Sequence, residues 1–340
     1  MNTVKSFLKL KRYGTIAFFL LSLLLILIAI DYRTYPSVTT IGGRSFNRGE
    51  NGLWLRYLWY FGKHSEAENR AMSERLKREQ IRYAYFHVRS ITKDGGLQYH
   101  FKYNATKLVS MLHRDAPSVK VMAWVYAGAS PGTGDVDLSD ESVREKMVGE
   151  ALWLVNDCGF DGIQWDYEFC PNGDQNFLKL MSETREALPA GKLLSAATPM
   201  WYPGALWGWD DNYFCQVART CDQLAVMCYD SFFYLPRAYV WLVRQQAVHV
   251  TRAVAASNPN CRVLLGLPTY DKGTAGHNNQ AETILMALKG VREGLADPRT
   301  ALAAFAGVAL FADYTTDPPE WRSYENLWLE TDALNPSESL

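Results

Sequence analysis

From residue 51 to residue 330 the chain repeats one pattern eight times: a short apolar run, then a helix-length amphipathic stretch. Such alternation builds βα units around a parallel sheet. The runs predict strands at Leu53–Tyr60, Tyr83–Val88, Val119–Tyr126, Gly162–Glu168, Leu193–Pro199, Gln223–Tyr229, Val263–Thr269 and Gly307–Phe311. Helices are predicted at Glu66–Glu79, Ala105–Arg114, Ser142–Asp157, Asp174–Leu188, Tyr213–Ala218, Arg237–Ala256, Ala281–Leu295 and Pro319–Trp328. Ser139 or Asp140 and Asp174 stand where N-caps belong. Eight such units are what a (β/α)8 TIM barrel requires, as a single domain over residues 51–330. A doubly wound sheet needs a glycine-rich phosphate loop after its first strand, and Phe61-Gly62-Lys63-His64 is not one.

The N-terminus sets the setting. Lys5, Lys9, Lys11 and Arg12 precede a run from Thr15 to Ile30 whose one polar interior residue is Ser22. Residues 13–32 therefore predict a transmembrane helix, about 20 residues being enough to cross the hydrocarbon layer. The basic segment 1–12 is expected to stay cytoplasmic, so that the barrel lies outside. A cleaved signal peptide is the rival, but Ala29-Ile30-Asp31 lacks the small-x-small pattern of a cleavage site. Residues 33–50 read as a linker and 331–340 as a tail.

Net charge is −1, so no basic face is presented and nucleic acid is not expected as a partner. The six cysteines form no CxxC pair, and HExxH is missing, so neither a metal nor a cofactor is expected. Cys215 and Cys221 are close enough in sequence to bridge a loop; buried free thiols are the alternative.

The most informative strand is Asp161-Gly162-Ile163-Gln164-Trp165-Asp166-Tyr167-Glu168. Side chains alternate along a strand. Gln164, Asp166 and Glu168 therefore share one face and Ile163, Trp165 and Tyr167 the other. The apolar set suits the surrounding helices, which leaves the polar set pointing into the barrel. Buried polar rows are costly unless satisfied or functional. Glu168 falls at the carboxyl end, where barrel enzymes hold their chemistry. A neighbouring Asp166 and poor solvation would raise its pKa into the range a working acid needs.

This strand resembles the Asp-Gly-x-Asp-x-Asp-x-Glu signature of glycoside hydrolase family 18, the chitinase family. Met227-Cys228-Tyr229-Asp230 resembles that family's sixth-strand motif, and Gly266-Leu267-Pro268-Thr269-Tyr270 its seventh. The resemblance implies substrate-assisted retaining hydrolysis of glycans containing N-acetylglucosamine. It implies that Glu168 is acid and then base, and that Asp166 orients and stabilises the acetamide. Tyr229 would donate to the same group. Asp230 and Met227 would lie near the sugar, and Tyr270 in the groove.

Two positions depart from the family pattern. Gln164 replaces its first Asp and offers only an amide, so Asp166 is expected to stay ionised more persistently. Phe311 stands where a Trp usually floors the sugar site and gives a smaller stacking face. These departures keep a second reading open: a catalytically silent sugar-binding barrel at the cell surface. Aromatics after strand ends suit sugar stacking, Trp201 foremost; Trp207 and Trp209 could equally be loop packing. Pro131–Asp135 and Asp271–His277 read as active-face loops, with His277 expected to be a solvated loop histidine and substrate binding the alternative.

Overall fold

A computed structural model describes residues 2–38, 45–128, 136–168, 170–205, 208–270 and 276–329. The expected loop Pro131–Asp135, most of the loop Asp271–His277, Trp207 and the tail lie outside these residues. Eight parallel strands close into a barrel in sequence order. They are β1 (Asn51–Leu55), β2 (Ile81–Ser90), β3 (Lys120–Tyr126), β4 (Gly162–Asp166), β5 (Leu193–Thr198), β6 (Gln223–Met227), β7 (Arg262–Pro268) and β8 (Phe305–Phe311). Outside run α2 (Glu66–Arg78), α3 (Lys102–Asp115), α4 (Glu141–Asn156), α5 (Gln175–Ala187), α6 (Asp211–Ala218), α7 (Pro236–Ser257), α8 (Ile284–Leu295) and α9 (Pro318–Tyr324).

The helix starts are built by local chemistry. Ser65 and Glu68 form a capping box on α2, as do Asp317 and Glu320 on α9. The Asp140 carboxylate accepts from the Ser142 backbone N–H, and Asp174 from those of Asn176 and Phe177. The first strand is shorter than predicted. Its aromatic continuation Tyr57–Phe61 folds into a turn, closed by Phe61 N–H on Tyr57 O and ended by Gly62 at φ +65. The apolar character that mimics a strand there serves to bury Tyr60, whose hydroxyl reaches Tyr99 O.

Most of the core lies between the sheet and its helices. The barrel interior forms a separate cluster around Trp54, Tyr85, Met122 and Trp124. Room for these rings comes from small residues. A Cβ on Gly52 would sit 2.9 Å from both Ala309 and Tyr85, and one on Gly266 3.2 Å from Trp54.

The N-terminal helix α1 spans Asn2–Val38, so its last residues are helical where a linker was expected. Tyr35 explains the extension: it is buried, with the Arg237 guanidinium 4.3 Å from its ring centre. Tyr13–Ser37 is long and apolar enough to cross a bilayer, and an 18-residue stretch within it has a mean hydropathy of 2.6. Such a helix points to secretion or membrane anchoring. All six cysteines are free, five of them buried, and Cys215 and Cys221 are not bridged.

Candidate active site

Strand β4 carries out the predicted alternation. Trp165 points outward, its indole N–H 3.1 Å from Thr184 Oγ1 on α5. Gln164 and Asp166 point inward and are buried. Gln164 Oε1 accepts from the Trp54 indole at 2.8 Å, and its amide nitrogen donates to Ser195 Oγ at 3.1 Å. The network continues to Gln223 Oε1, which also accepts from Tyr85. Every member is neutral, and both polar ends of Gln164 are satisfied.

One layer higher, Asp166 Oδ2 accepts from the Trp124 indole at 2.7 Å. Its Oδ1 is buried with no partner among the described residues. Burial, and then the charge of Glu168, push the Asp166 carboxyl well above the usual carboxylate range. This runs against the expectation of a persistently ionised Asp166, because complete burial disfavours its charged form. Glu168 lies just past the strand end, half-buried, and accepts from the Tyr126 hydroxyl at 3.2 Å. Burial raises its pKa too, opposed by the Tyr126 bond and helped by the Asp230 charge. The two carboxyls titrate as a pair that holds a proton above the ordinary carboxylate range.

Tyr229 follows β6 and is buried. Desolvation and the nearby Asp166 raise its phenol well above the ordinary value, so it remains a donor. Phe311, at the end of β8, joins the aromatic wall. It stacks on Tyr229 at 4.9 Å and meets Trp54, Trp124 and Tyr270 edge-on at 5.8, 6.1 and 6.1 Å. Tyr270 donates to Asp230 Oδ1 at 2.9 Å. Met227, half-buried at the end of β6, shares the inner face with Gln223 and Ala225 by alternation.

Trp201 is not brought to this group. Its ring lies flat on His249 of α7 at 3.7 Å, and its indole N–H meets Asp211 of α6. Trp209 is fully packed, donating to Cys170 O. Both are loop aromatics serving the outer helices.

The sequence reading missed Glu282, a buried carboxylate just before α8. Its oxygens accept from the backbone N–H groups of Asp230 at 2.8 Å and Ser231 at 2.9 Å, and from the Ser231 hydroxyl at 2.5 Å. This clamp holds Asp230 at φ +52, a strained value for a non-glycine residue. His277 is buried rather than solvated and lies 3.1 Å from Glu282 through Nδ1. Asp230, His277 and Glu282 are close enough to share a cation. The oxygens of Glu282 are already committed to hydrogen bonds, so the trio is read as a clamp. Also missed was His87, stacked on Trp124 at 4.2 Å; burial lowers its pKa to about 3, so it stays neutral. A cleft of ≈ 490 Å³ between α2 and α3 contains none of these site residues.

The arrangement offers a proton donor with a raised pKa, a buried carboxyl beside it, a phenol donor and an aromatic wall. The family described as Glycosyl hydrolases family 18 matches residues 56–332. No curated protein matches the sequence. Among solved structures, the spore cortex-lytic enzyme SleL of Bacillus megaterium superposes with a TM-score of 0.56 at 12% identity, over 82% of this chain and 74% of that one. A chitinase from Bacteroides thetaiotaomicron gives 0.54 at 16%, over 80% and 92%. A chitinase from Chromobacterium violaceum gives 0.53 at 15%, over 81% and 98%. At these identities the likeness is one of fold.

Proposed function

Because the chain belongs to glycosyl hydrolases family 18, we propose that this member cleaves N-acetylglucosamine-containing glycans with the sugar's own acetamide as nucleophile. Glu168 protonates the glycosidic oxygen as the acetamide oxygen attacks the anomeric carbon. The leaving sugar departs as an alcohol and an oxazolinium ion remains. Glu168, now a carboxylate, takes a proton from water, which attacks the same carbon and restores the acetamide with retained configuration. Asp166 engages the acetamide N–H and stabilises the cation. Tyr229 donates to the acetamide oxygen, and Phe311 forms the floor.

The observation that carries this reading is Asp166 Oδ1, a buried oxygen with no protein donor among the described residues, next to an acid of raised pKa. An unsatisfied buried acceptor costs about 1–3 kcal/mol. A substrate N–H offsets that cost only when bound in the productive place. Mass spectrometry of N-acetylglucosamine oligomers and of bacterial envelope glycan after incubation tests the reading. Products that disappear with Glu168→Gln are expected. Tight binding without products would instead favour the silent sugar-binding barrel.

The N-terminal helix is read as a retained anchor that holds the barrel outside the cytoplasm. The supporting features are the absent cleavage pattern at Ala29-Ile30-Asp31 and the Asp31–Arg237 ion pair of 2.6 Å, which ties the helix to α7. Sedimentation with membranes after alkaline washing, with an intact N-terminus by mass, is the expected result.

A further inference from the structure

Outside α1, the exposed large apolar and aromatic side chains among the described residues are Tyr99, Tyr103, Tyr202, Phe232, Tyr234, Leu235, Trp241 and Tyr314. Four of these eight fall within Phe232–Trp241, the segment that surrounds Arg237. Phe232 is 63% exposed and Tyr234 56%. Clusters of this kind on a surface mark an interaction site.

The neighbourhood says what the partner is. Arg237 is the second residue of α7, and α7 starts at the rim of the barrel where β6 ends. This is also the rim that carries Tyr229 and Asp230. Arg237 holds both Asp31 and Tyr35 of α1. Immediately before Asp31 runs the apolar stretch Thr15–Ile30, which is not buried against the barrel. The point where the apolar helix ends is therefore the point where the exposed aromatics begin. Tyrosine and tryptophan side chains favour the headgroup layer, where an apolar ring meets water at one edge, and phenylalanine and leucine bury at its boundary with the acyl chains.

We propose that the β6–α7 edge of the barrel, led by Phe232, Tyr234 and Leu235, sits in the headgroup layer of the bilayer that α1 crosses, so that the catalytic rim is held at the membrane surface. The proposal rests on the anchor reading above. It gives the exposed aromatics a partner and orients the mouth of the barrel toward glycan at the membrane.

Residues 2–38 contain no tryptophan, so fluorescence quenching from within the lipid reports on the barrel alone. The full chain is placed in phosphatidylcholine nanodiscs brominated near the top of the acyl chains, in a Trp241→Phe background. One added reporter is Tyr234→Trp. The other is Tyr103→Trp, on α3 after β2, which lies across the closed barrel from β6. Rings buried 5–10 Å into the interface should lose about half of their emission. The expected result is such quenching of the added emission in Tyr234→Trp and little in Tyr103→Trp. Equal quenching at both positions, or none at Tyr234→Trp in chain that survives an alkaline wash with the membrane, overturns the seating and leaves the anchor intact. Release of the chain by that wash overturns both.

Discussion

Gln164 and Asp166 stand two residues apart on the same face of β4 and are almost equally buried, yet their surroundings are opposite. Gln164 has a donor on its oxygen and an acceptor for its nitrogen, all within a neutral network. Asp166 has one indole donor, one oxygen with no partner among the described residues, and a second carboxyl above it. The lower layer is arranged as a structure that is complete by itself. The upper layer is left short by one hydrogen bond and long by one proton. Burial is nearly the same for both residues of this strand, and hydrogen-bond completeness is what tells them apart.

The sharpest way to break this comparison is to neutralise the upper layer. Glu168→Gln keeps the shape of the side chain and removes the transferable proton. Turnover of an N-acetylglucosamine oligomer should fall roughly 10²–10⁴-fold. The melting temperature should hold, because the residue is half-exposed and its one described bond is to Tyr126. A large loss of stability with little loss of turnover would reverse the roles given to the two layers.

The complementary change is Gln164→Ala, which empties the lower layer. It leaves the Trp54 indole without its acceptor and opens a cavity, at a cost of about 2–4 kcal/mol. Chemical denaturation should show this cost, with kcat changed far less than by Glu168→Gln. Asp166→Asn supplies the contrast. A carboxyl whose pKa is raised by folding stabilises fully only below its unfolded value, and that contribution is lost as pH rises toward the folded one. At pH 7 the wild type is therefore carrying a penalty that Asn does not. The variant should melt roughly 2–4 °C higher at pH 7, with the difference vanishing near pH 4, while losing turnover. A lower melting temperature across that range would show that Asp166 is structural.

The sequence already contained much of this contrast. Period-two alternation placed Gln164, Asp166 and Glu168 inside, and capping residues marked where α4 and α5 begin. What alternation cannot supply is the identity of the partners. Trp54 reaches Gln164 across 110 positions, and Glu282 reaches Asp230 across 52, through closure of the barrel. Trp201 was misplaced for the same reason. A loop aromatic beside a strand end can turn inward to a groove or outward to a helix, and the choice is made by His249 and Asp211 on α7 and α6. The turn after β1 was read as strand because Trp59 and Tyr60 are apolar in either conformation.

Gln164→Asp tests the boundary between the layers directly. It places a second carboxyl beneath Asp166, in a pocket built for an amide. Like charges at close range raise one another's pKa. The acid limb of the kcat/KM profile should move upward by about one unit. An unchanged profile would mean that the lower layer does not influence the upper one at all.

The smallest effect is expected at the clamp, and it shows whether completeness outside β4 also serves the site. Glu282 presents two acceptor oxygens to donors on Asp230, Ser231 and His277. Glutamine has one oxygen and one NH2, so in Glu282→Gln a donor must face a donor whichever way the amide turns. The positive φ of Asp230 then loses part of what holds it. Asp230 accepts from Tyr270 at the rim, so the variant should bind substrate less well rather than react more slowly once bound. A rise in KM of about 3–10-fold with kcat within a factor of two corresponds to the loss of one net hydrogen bond, near 1 kcal/mol. A drop in kcat with KM unchanged would instead move Asp230 from positioning the sugar to acting in the chemical step. The clamp would then belong with Asp166 and Glu168 rather than with the scaffold.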